Sequence, residues 1–482
     1  MPTLVATLRT LLTIARKDAQ LMLRYPFNVA SRVFEPLGWL APVHGTHDCR
    51  RAVRPPTAGV PHPRGGVARA ALTCRGIGSV MMAVVNTMDA DAVWAWALVP
   101  LAHPPEPRAA AFQKLRLIAS PHALQDAAER FHAVGGWVSE ITGAPAPCDD
   151  RAQIVLAGTL AQYDRLIAAG PASSLAAAIR ETLANVVAPP PRMVLRSHTF
   201  DFGSRVYIAG ILNNTPDSFH DHGAFFGLDA ALARADVLVR EGADLIEVGG
   251  ETAQEGDPVA VRAEIDRVAP LVRAIVRRCA LPVAVDTYKA DVAQAALDAG
   301  AVLVNDISGM ADPRMGQVVG GGGAGLVLMH LHGRPKQHYV DVPVPSMMVW
   351  VGAFLRTRTE AAVAAGVPRD RLLVDPGLNF GKHPSRDLEL MRRLPELRSL
   401  GFPIFVATSR KDYIRDLLHL HPDDLLEGTA AAVAFAIAQG ANMLRVHDVQ
   451  TMARVARMME FFRGLRMVTA PEEVSVRGQA EH

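Results

Sequence analysis

The carboxyl-terminal half of the chain places polar residues at a steady interval, each directly after a short apolar run. In order they are Asn213, Glu251, Asp286, Asn305–Asp306, His330, Asp375, Ser409–Lys411 and Arg445–His447. Carboxylates, amides, an ammonium, guanidiniums and imidazoles in one series can hold a polar ligand and neutralise an anion. A single such residue is more often a cap or turn former. Eight in register point to a shared site. Lysine usage sharpens the picture, because the basic residues are nearly all arginine and the lysines are Lys17, Lys114, Lys289, Lys336, Lys382 and Lys411. A lysine kept in such a chain suggests a compact ammonium that a guanidinium would not replace. Three of the six (Lys289, Lys382 and Lys411) fall near a post-strand motif, and Lys411 within ATSRK makes the strongest case.

The elements that position these residues follow from the apolar pattern. The runs RVYIAGIL, ADLIEVGG, LPVAVDT, AVLVNDIS, AGLVLMH, RLLVDPG, FPIFVAT and NMLRVHD alternate with amphipathic stretches such as RAEIDRVAPLVRAIVRR. Eight βα units predict an α/β fold, a (β/α)8 TIM barrel, whose functional residues stand at the carboxyl ends of the strands. The competing doubly wound sheet would carry G-x-G-x-x-G after its first strand, where NNTPDSF stands instead. Upstream, QIVLAGT reads as a strand and LAQYDRLIAAG as a helix. SLAAAIRETLANVV reads as a second helix, ended by Pro189–Pro191. MVLRSHTFDFGSRVYIAGIL reads as two strands hairpinned around Gly203.

The 482 residues allow two or three domains, and 50% hydrophobic with 20% charged residues excludes wholesale disorder. Expected divisions are an irregular, helical or disordered extension over 1–150, a small α/β lead-in over 151–200, the barrel over 201–465 and a flexible tail over 466–482. Within the extension, residues 1–43 have amphipathic spacing, 44–76 form an Arg/Pro/Gly-rich linker, and 77–150 hold apolar segments around Trp94, Trp96 and Trp137. A net charge of +2 gives no reason to expect nucleic acid as partner. The four scattered cysteines (Cys49, Cys74, Cys148, Cys279) exclude a disulfide scaffold and a zinc ribbon. Asp89 and Asp91 interrupt the best membrane-span candidate, and the amino terminus lacks the apolar core of a secretory signal, so a cytoplasmic protein is expected.

Over residues 206–463 the segments GILNNTPDSF, DLIEVGGET, VAVDTYKADVA, NDISGM, LVLMHLHGRP, LLVDPGLNFGKH, ATSRKDYI and EGTAAAVAFAIAQGANMLRVHDV resemble dihydropteroate synthase, a pterin-binding barrel. The lead-in is similar to an amino-terminal extension of some members, while residues 1–150 have no counterpart. The resemblance implies a transferase of folate biosynthesis. In that reaction 4-aminobenzoate displaces pyrophosphate from 6-hydroxymethyl-7,8-dihydropterin diphosphate, giving 7,8-dihydropteroate. It implies Asp286, Asp375, Asn305 and Lys411 on the pterin, with Met329 and Phe380 against the flat ring. Thr252 is a further substrate contact, Arg445 and His447 meet the diphosphate, Ser409 meets the aminobenzoate carboxylate, and Asn213 is the ligand of Mg2+. Lys411, Asp286, Arg445 and His447 are expected to carry the catalysis, and a homodimer formed through the barrel is implied.

The second loop departs from the family's S-T-R-P-G, reading Thr252-Ala253-Gln254-Glu255-Gly256. Losing the arginine's charged hydrogen bond costs on the order of 1.5–3 kcal/mol, unless Arg262 or His222 substitutes. The first loop keeps Asp221 and Gly223 and inserts His220 and His222. Three readings stay open: a working synthase, a divergent methyltransferase acting on a methylated tetrahydropterin, and a non-catalytic pterin binder.

Overall fold

A computed structural model describes residues 94–97, 112–143, 152–170, 173–215, 227–337, 344 and 346–467, all within one compact unit. The 1–43 helix, the 44–76 linker, the first-loop residues His220–Gly223 and the tail beyond Met467 lie outside the described residues.

The lead-in is an antiparallel sheet covered by helices. It comprises β1 (Trp94–Ala97), β2 (Phe112–Ala119), α1 (Pro121–Ala133), β3 (Trp137–Val138), β4 (Thr142–Gly143), β5 (Ala152–Thr159), α2 (Leu160–Ala168) and α3 (Ser173–Val187). The expected boundary at 150/151 runs through this sheet, because β2 pairs with β5 along its whole length. Local chemistry sets the helix starts. The Ser120 hydroxyl accepts from Ala123 N at 3.4 Å, and Thr159 and Gln162 form a reciprocal capping box. Leu115, Leu117, Phe131, Leu156 and Tyr163 fill the core beneath, and the Tyr163 hydroxyl donates to the Leu156 carbonyl at 2.8 Å.

A hairpin follows, β6 (Arg192–Leu195) with β7 (His198–Asp201). Its turn is Arg196–Ser197, with Arg196 at φ 53°, and not Gly203 as the sequence suggested. Gly203 instead lies in the connection from the hairpin to the barrel.

Eight parallel strands then alternate with helices: β8 (Tyr207–Asn213), α4 (Leu228–Glu241), β9 (Leu245–Gly249), α5 (Val261–Arg278), β10 (Val283–Asp286), α6 (Ala290–Ala299), β11 (Leu303–Asp306), α7 (Met315–Gly321), β12 (Gly325–Met329), α8 (Met347–Ala364), β13 (Leu372–Asp375), α9 (Pro384–Arg392), β14 (Phe405–Val406), α10 (Asp412–Leu418), α11 (Leu426–Ala438), β15 (Met443–Val446) and α12 (Val449–Phe462). They are ordered β13-β12-β11-β10-β9-β8-β15-β14, and a parallel bridge between Val374 and Ile404 joins the two ends into the expected TIM barrel.

Strand residues of one parity face the barrel axis and those of the other face the helices. Leu245, Ala284, Leu303, Val327, Leu373, Phe405 and Met443 pack in the interior with Tyr207 and Ala209. Their neighbours Ile246, Val285, Val304, Leu326, Val374, Val406 and Leu444 pack outward. Met193, Leu195, Phe200 and Phe202 join the interior group, so the hairpin closes the amino-terminal end of the barrel. The opposite end remains open to carry chemistry.

Candidate active site

Continuing the interior parity toward the carboxyl ends of the strands gives Asn213, Glu247, Asp286, Asn305, Met329, Asp375, Ser409, Arg445 and His447. Asn213, Thr252, Phe380, Ser409, Lys411, Arg445 and His447 line one cleft of about 450 Å³ together with Gln254 and Glu255. That volume suits a small organic ligand.

Arg445 ties Asp286 and Glu247, which do not line the cleft themselves, to it. It donates through Nε to Glu247 and through Nη2 to Asp286 Oδ2 at 2.7 Å. Glu247 is fully buried and also accepts from Asn305 Nδ2 at 3.3 Å, while Asn305 Oδ1 is buried without a partner. Asp375 accepts from Gly377 N at 2.7 Å. The Lys411 ammonium stands 4.4 Å from the centroid of the Phe380 ring, a cation–π contact. Phe380 packs in turn with Met329, Ile307 and Leu331. At the other wall the Ser409 hydroxyl meets His447 Nδ1 at 3.0 Å and accepts from His447 N at 3.2 Å.

Burial moves the titrations of this group toward neutrality. It pushes the Asp286 carboxyl up to about 7 against the opposing charge of Arg445. It pushes Asp375 up to about 6 against the Gly377 N–H. Lys411 is lowered to about 8, by burial first and then by the charge of Arg445.

Several strand-end residues do not join the cleft, and parity explains two of them. Asp306 and His330 have helix-facing parity. Asp306 accepts from Ser308 N at 2.8 Å and Met310 N at 2.9 Å, which holds its own turn. His330 is buried between Trp350 and Phe354, its ring centroid 5.0 and 4.9 Å from theirs. Glu251 lies beyond its strand, where Lys289 bridges it to Glu264 and the Tyr288 hydroxyl donates to it at 3.1 Å. Lys382 donates to the carbonyls of His330, Gly377 and Phe380 at 3.3, 2.6 and 2.9 Å. Lys289 and Lys382 are therefore kept as internal donors with three acceptors each, and Lys411 is the lysine of the cleft.

The second loop is held by Lys336, which donates to the Thr252 carbonyl at 3.2 Å and whose own carbonyl accepts from Gly256 N at 3.2 Å. Gln254 N donates to Thr252 Oγ1 at 3.3 Å. Arg262 does not take the place of the missing arginine: its side chain is 84% exposed and pairs with Asp266 at 3.1 Å. The sequence reading missed Glu247, a carboxylate in the middle of the apolar run LIEV. Its parity with Leu245 was the available signal.

A closed parallel barrel with carboxylates, amides and cations gathered at the carboxyl ends of its strands defines a TIM-barrel protein with one polar mouth. The family model for pterin binding enzymes matches residues 209–447, and the chain belongs to that family. Among its relatives, a dihydropteroate synthase from Synechocystis is 36% identical over 274 residues, which cover 56% of this chain and 95% of the relative. An inactive dihydropteroate synthase 2 from Mycobacterium leprae is 42% identical over 284 residues, covering 57% of this chain and 96% of that one. The solved Yersinia pestis dihydropteroate synthase superposes with a TM-score of 0.55 at 36% identity, over 57% of this chain and all (100%) of that structure.

Proposed function

We propose that the chain condenses 6-hydroxymethyl-7,8-dihydropterin diphosphate with 4-aminobenzoate. The observation that carries this reading is the convergence, at one rim, of acceptors for a planar donor edge with cations for a leaving diphosphate. The acceptors are Asn305 Oδ1, Asp286 and Asp375. A pterin edge presents an amino group and ring N–H groups side by side, and a carboxylate receives such an array through two parallel bonds. Phe380 and Met329 offer apolar surface to the ring, and Lys411 donates to ring oxygen or nitrogen.

In the reaction the aminobenzoate nitrogen forms a bond to the pterin methylene as the methylene–oxygen bond to diphosphate breaks. The nitrogen then loses a proton, and pyrophosphate departs with the bonding pair. Arg445 is held by Glu247 and Asp286, and with His447 it faces the departing charge. Asp448 precedes α12, and its carboxylate is engaged by Arg410 at 2.8 and 2.9 Å, which leaves the first N–H groups of α12 to favour an anion. Ser409 receives the aminobenzoate carboxylate. The rate gain comes from positioning and preset charge, with no protein nucleophile.

The residues also fit Mg2+. Asn213 lines the cleft, and across from it Gly249 has no Cβ, which would stand 3.0 Å from Asn213 Oδ1. Among the described residues there is no cluster of three metal-ligating His, Cys, Asp or Glu side chains. One amide oxygen, with substrate oxygens and waters for the rest, is the donor set that magnesium accepts. When bound, the ion would neutralise charge on the diphosphate. Exposed Phe435, Met458 and Phe462 on α11 and α12 supply an apolar face for the proposed homodimer. No described helix is long and apolar enough to cross a membrane.

The test is pyrophosphate release from the pterin diphosphate with Mg2+, with and without 4-aminobenzoate. Aminobenzoate-dependent release supports the synthase. A second reading, a pterin binder without turnover, is favoured by Gln254 and Glu255 in the cleft. It would show as tight pterin binding with no release.

A further inference from the structure

A second cleft, of about 280 Å³, opens at the amino-terminal end of the barrel, where the lead-in meets the segments that enter β14 and β15. Its walls include Asn185, Pro190, Phe202, Asn442, Arg398 and Arg463, and no carboxylate is among its lining residues. Arg398 donates to the Val186 carbonyl at 2.9 Å. Arg463 caps α12 through its backbone N–H, which donates to the Met459 carbonyl at 2.9 Å, and its guanidinium makes no hydrogen bond or ion pair among the described residues. Burial pushes both guanidiniums below their ordinary range, and Arg463 is pushed further by the charge of Arg398. A third guanidinium, Arg369, stacks on Phe402 of the same cleft at 4.3 Å.

Arg116 and Arg358 are also withdrawn from water without an ion pair among the described residues, but each lies alone, against Gln153 and the Phe354 ring, and Arg398 and Arg463 share one cleft. Arg393, Arg410, Arg445 and Arg457 are also half-buried, and each pairs with a carboxylate. Two guanidiniums partly withdrawn from water in one cleft are stabilised when an anion enters between them.

We propose that this cleft is a second ligand site, which takes a small multiply charged oxyanion of the phosphate class between Arg398 and Arg463. It lies at the end of the barrel opposite the proposed catalytic cleft, so it stands whether or not that reading holds. The chain's own Glu472 and Glu473 offer the same chemistry from a different source.

The experiment titrates the full chain with inorganic phosphate and with pyrophosphate at constant ionic strength, read by calorimetry and by Tm. Saturable binding is expected that survives His447→Ala. Arg463→Gln and Arg398→Gln should each weaken it about ten- to a hundredfold, as loss of a charge-assisted hydrogen bond does, without altering pterin binding. Arg463→Glu should raise Tm in phosphate-free buffer and abolish the phosphate response. The proposal is overturned by the absence of a saturable phosphate effect, or by equal binding in Arg463→Gln and the parent. It is also overturned if binding appears only in a Glu472→Gln/Glu473→Gln variant, which would assign the cleft to the tail.

Discussion

Glu247 sets the orientation of Asn305: the amide donates from Nδ2 to the carboxylate at 3.3 Å, and Oδ1 is left buried without a partner. Turning the amide over would place two oxygens together in a buried setting, so the carboxylate fixes Asn305 with its oxygen free to accept. The same carboxylate grips Arg445 through Nε. One mid-strand acid thus orients both a buried amide oxygen and a cation.

Glu247→Gln should therefore weaken pterin binding although Glu247 itself need not touch the ligand. The neutral amide accepts either orientation of Asn305 and holds Arg445 less firmly. A loss of about tenfold or more is expected, the worth of one charge-assisted hydrogen bond. Calorimetry with a pterin ligand reads it, and an unchanged affinity with an intact fold would separate the two residues.

Gln254→Arg should raise turnover. The second loop lines the cleft with Gln254 and Glu255 and no cation, and Arg262 points to solvent. Restoring a charged donor to the diphosphate is worth about 1.5–3 kcal/mol, or roughly ten- to a hundredfold in kcat/KM. No change, or a loss, would mean that this loop has been turned to another use.

Pterin affinity should follow a bell-shaped pH curve. The folded carboxyl of Asp375 titrates at about 6, raised from 3.8, so its protonated form is favoured by the fold. Its contribution to stability is full below about pH 4 and is lost as pH rises through 6. Ligand N–H groups need the carboxylate, so affinity rises over that interval, with Asp286 extending the limb to about 7. Lys411, lowered to about 8, sheds its proton on the alkaline side and weakens binding there. Titrating affinity from pH 5 to 9 checks both limbs, and Asp375→Asn should remove its share of the acidic one.

Lys382→Met should destabilise the fold, because three carbonyl oxygens (His330, Gly377 and Phe380) lose their buried donor. A cost of about 3 kcal/mol in urea unfolding is expected, at the upper end of an unsatisfied buried group. Lys382→Arg should not rescue it, since a planar fork cannot meet three acceptors clustered around one ammonium.

Much was legible in the sequence because barrel strands are short, apolar and of period two. The eight runs, their order and the polar residues that end them are local properties, and so are the two lead-in helices after Thr159 and before Pro189. The family followed from those segments in series, and the departure at Gln254 was visible against it.

Pairing was not legible, because it depends on residues far apart along the chain. Glu247 and Arg445 lie 198 positions apart, and Arg398 reaches Val186 across 212. Composition cannot say that Lys289 serves an internal ion pair while Lys411 enters the cleft. Nor can it say that Asp306 and His330 turn away from a rim their neighbours share. The hairpin turn went to Arg196 and not to Gly203, since the closing pair Leu195–His198 is chosen by where Met193 and Phe200 seal the barrel floor. The amino-acid order by itself determined which side chains would stand at the strand ends. Closure of the sheet decided which of them meet, because only closure brings one parity of every strand to a common axis.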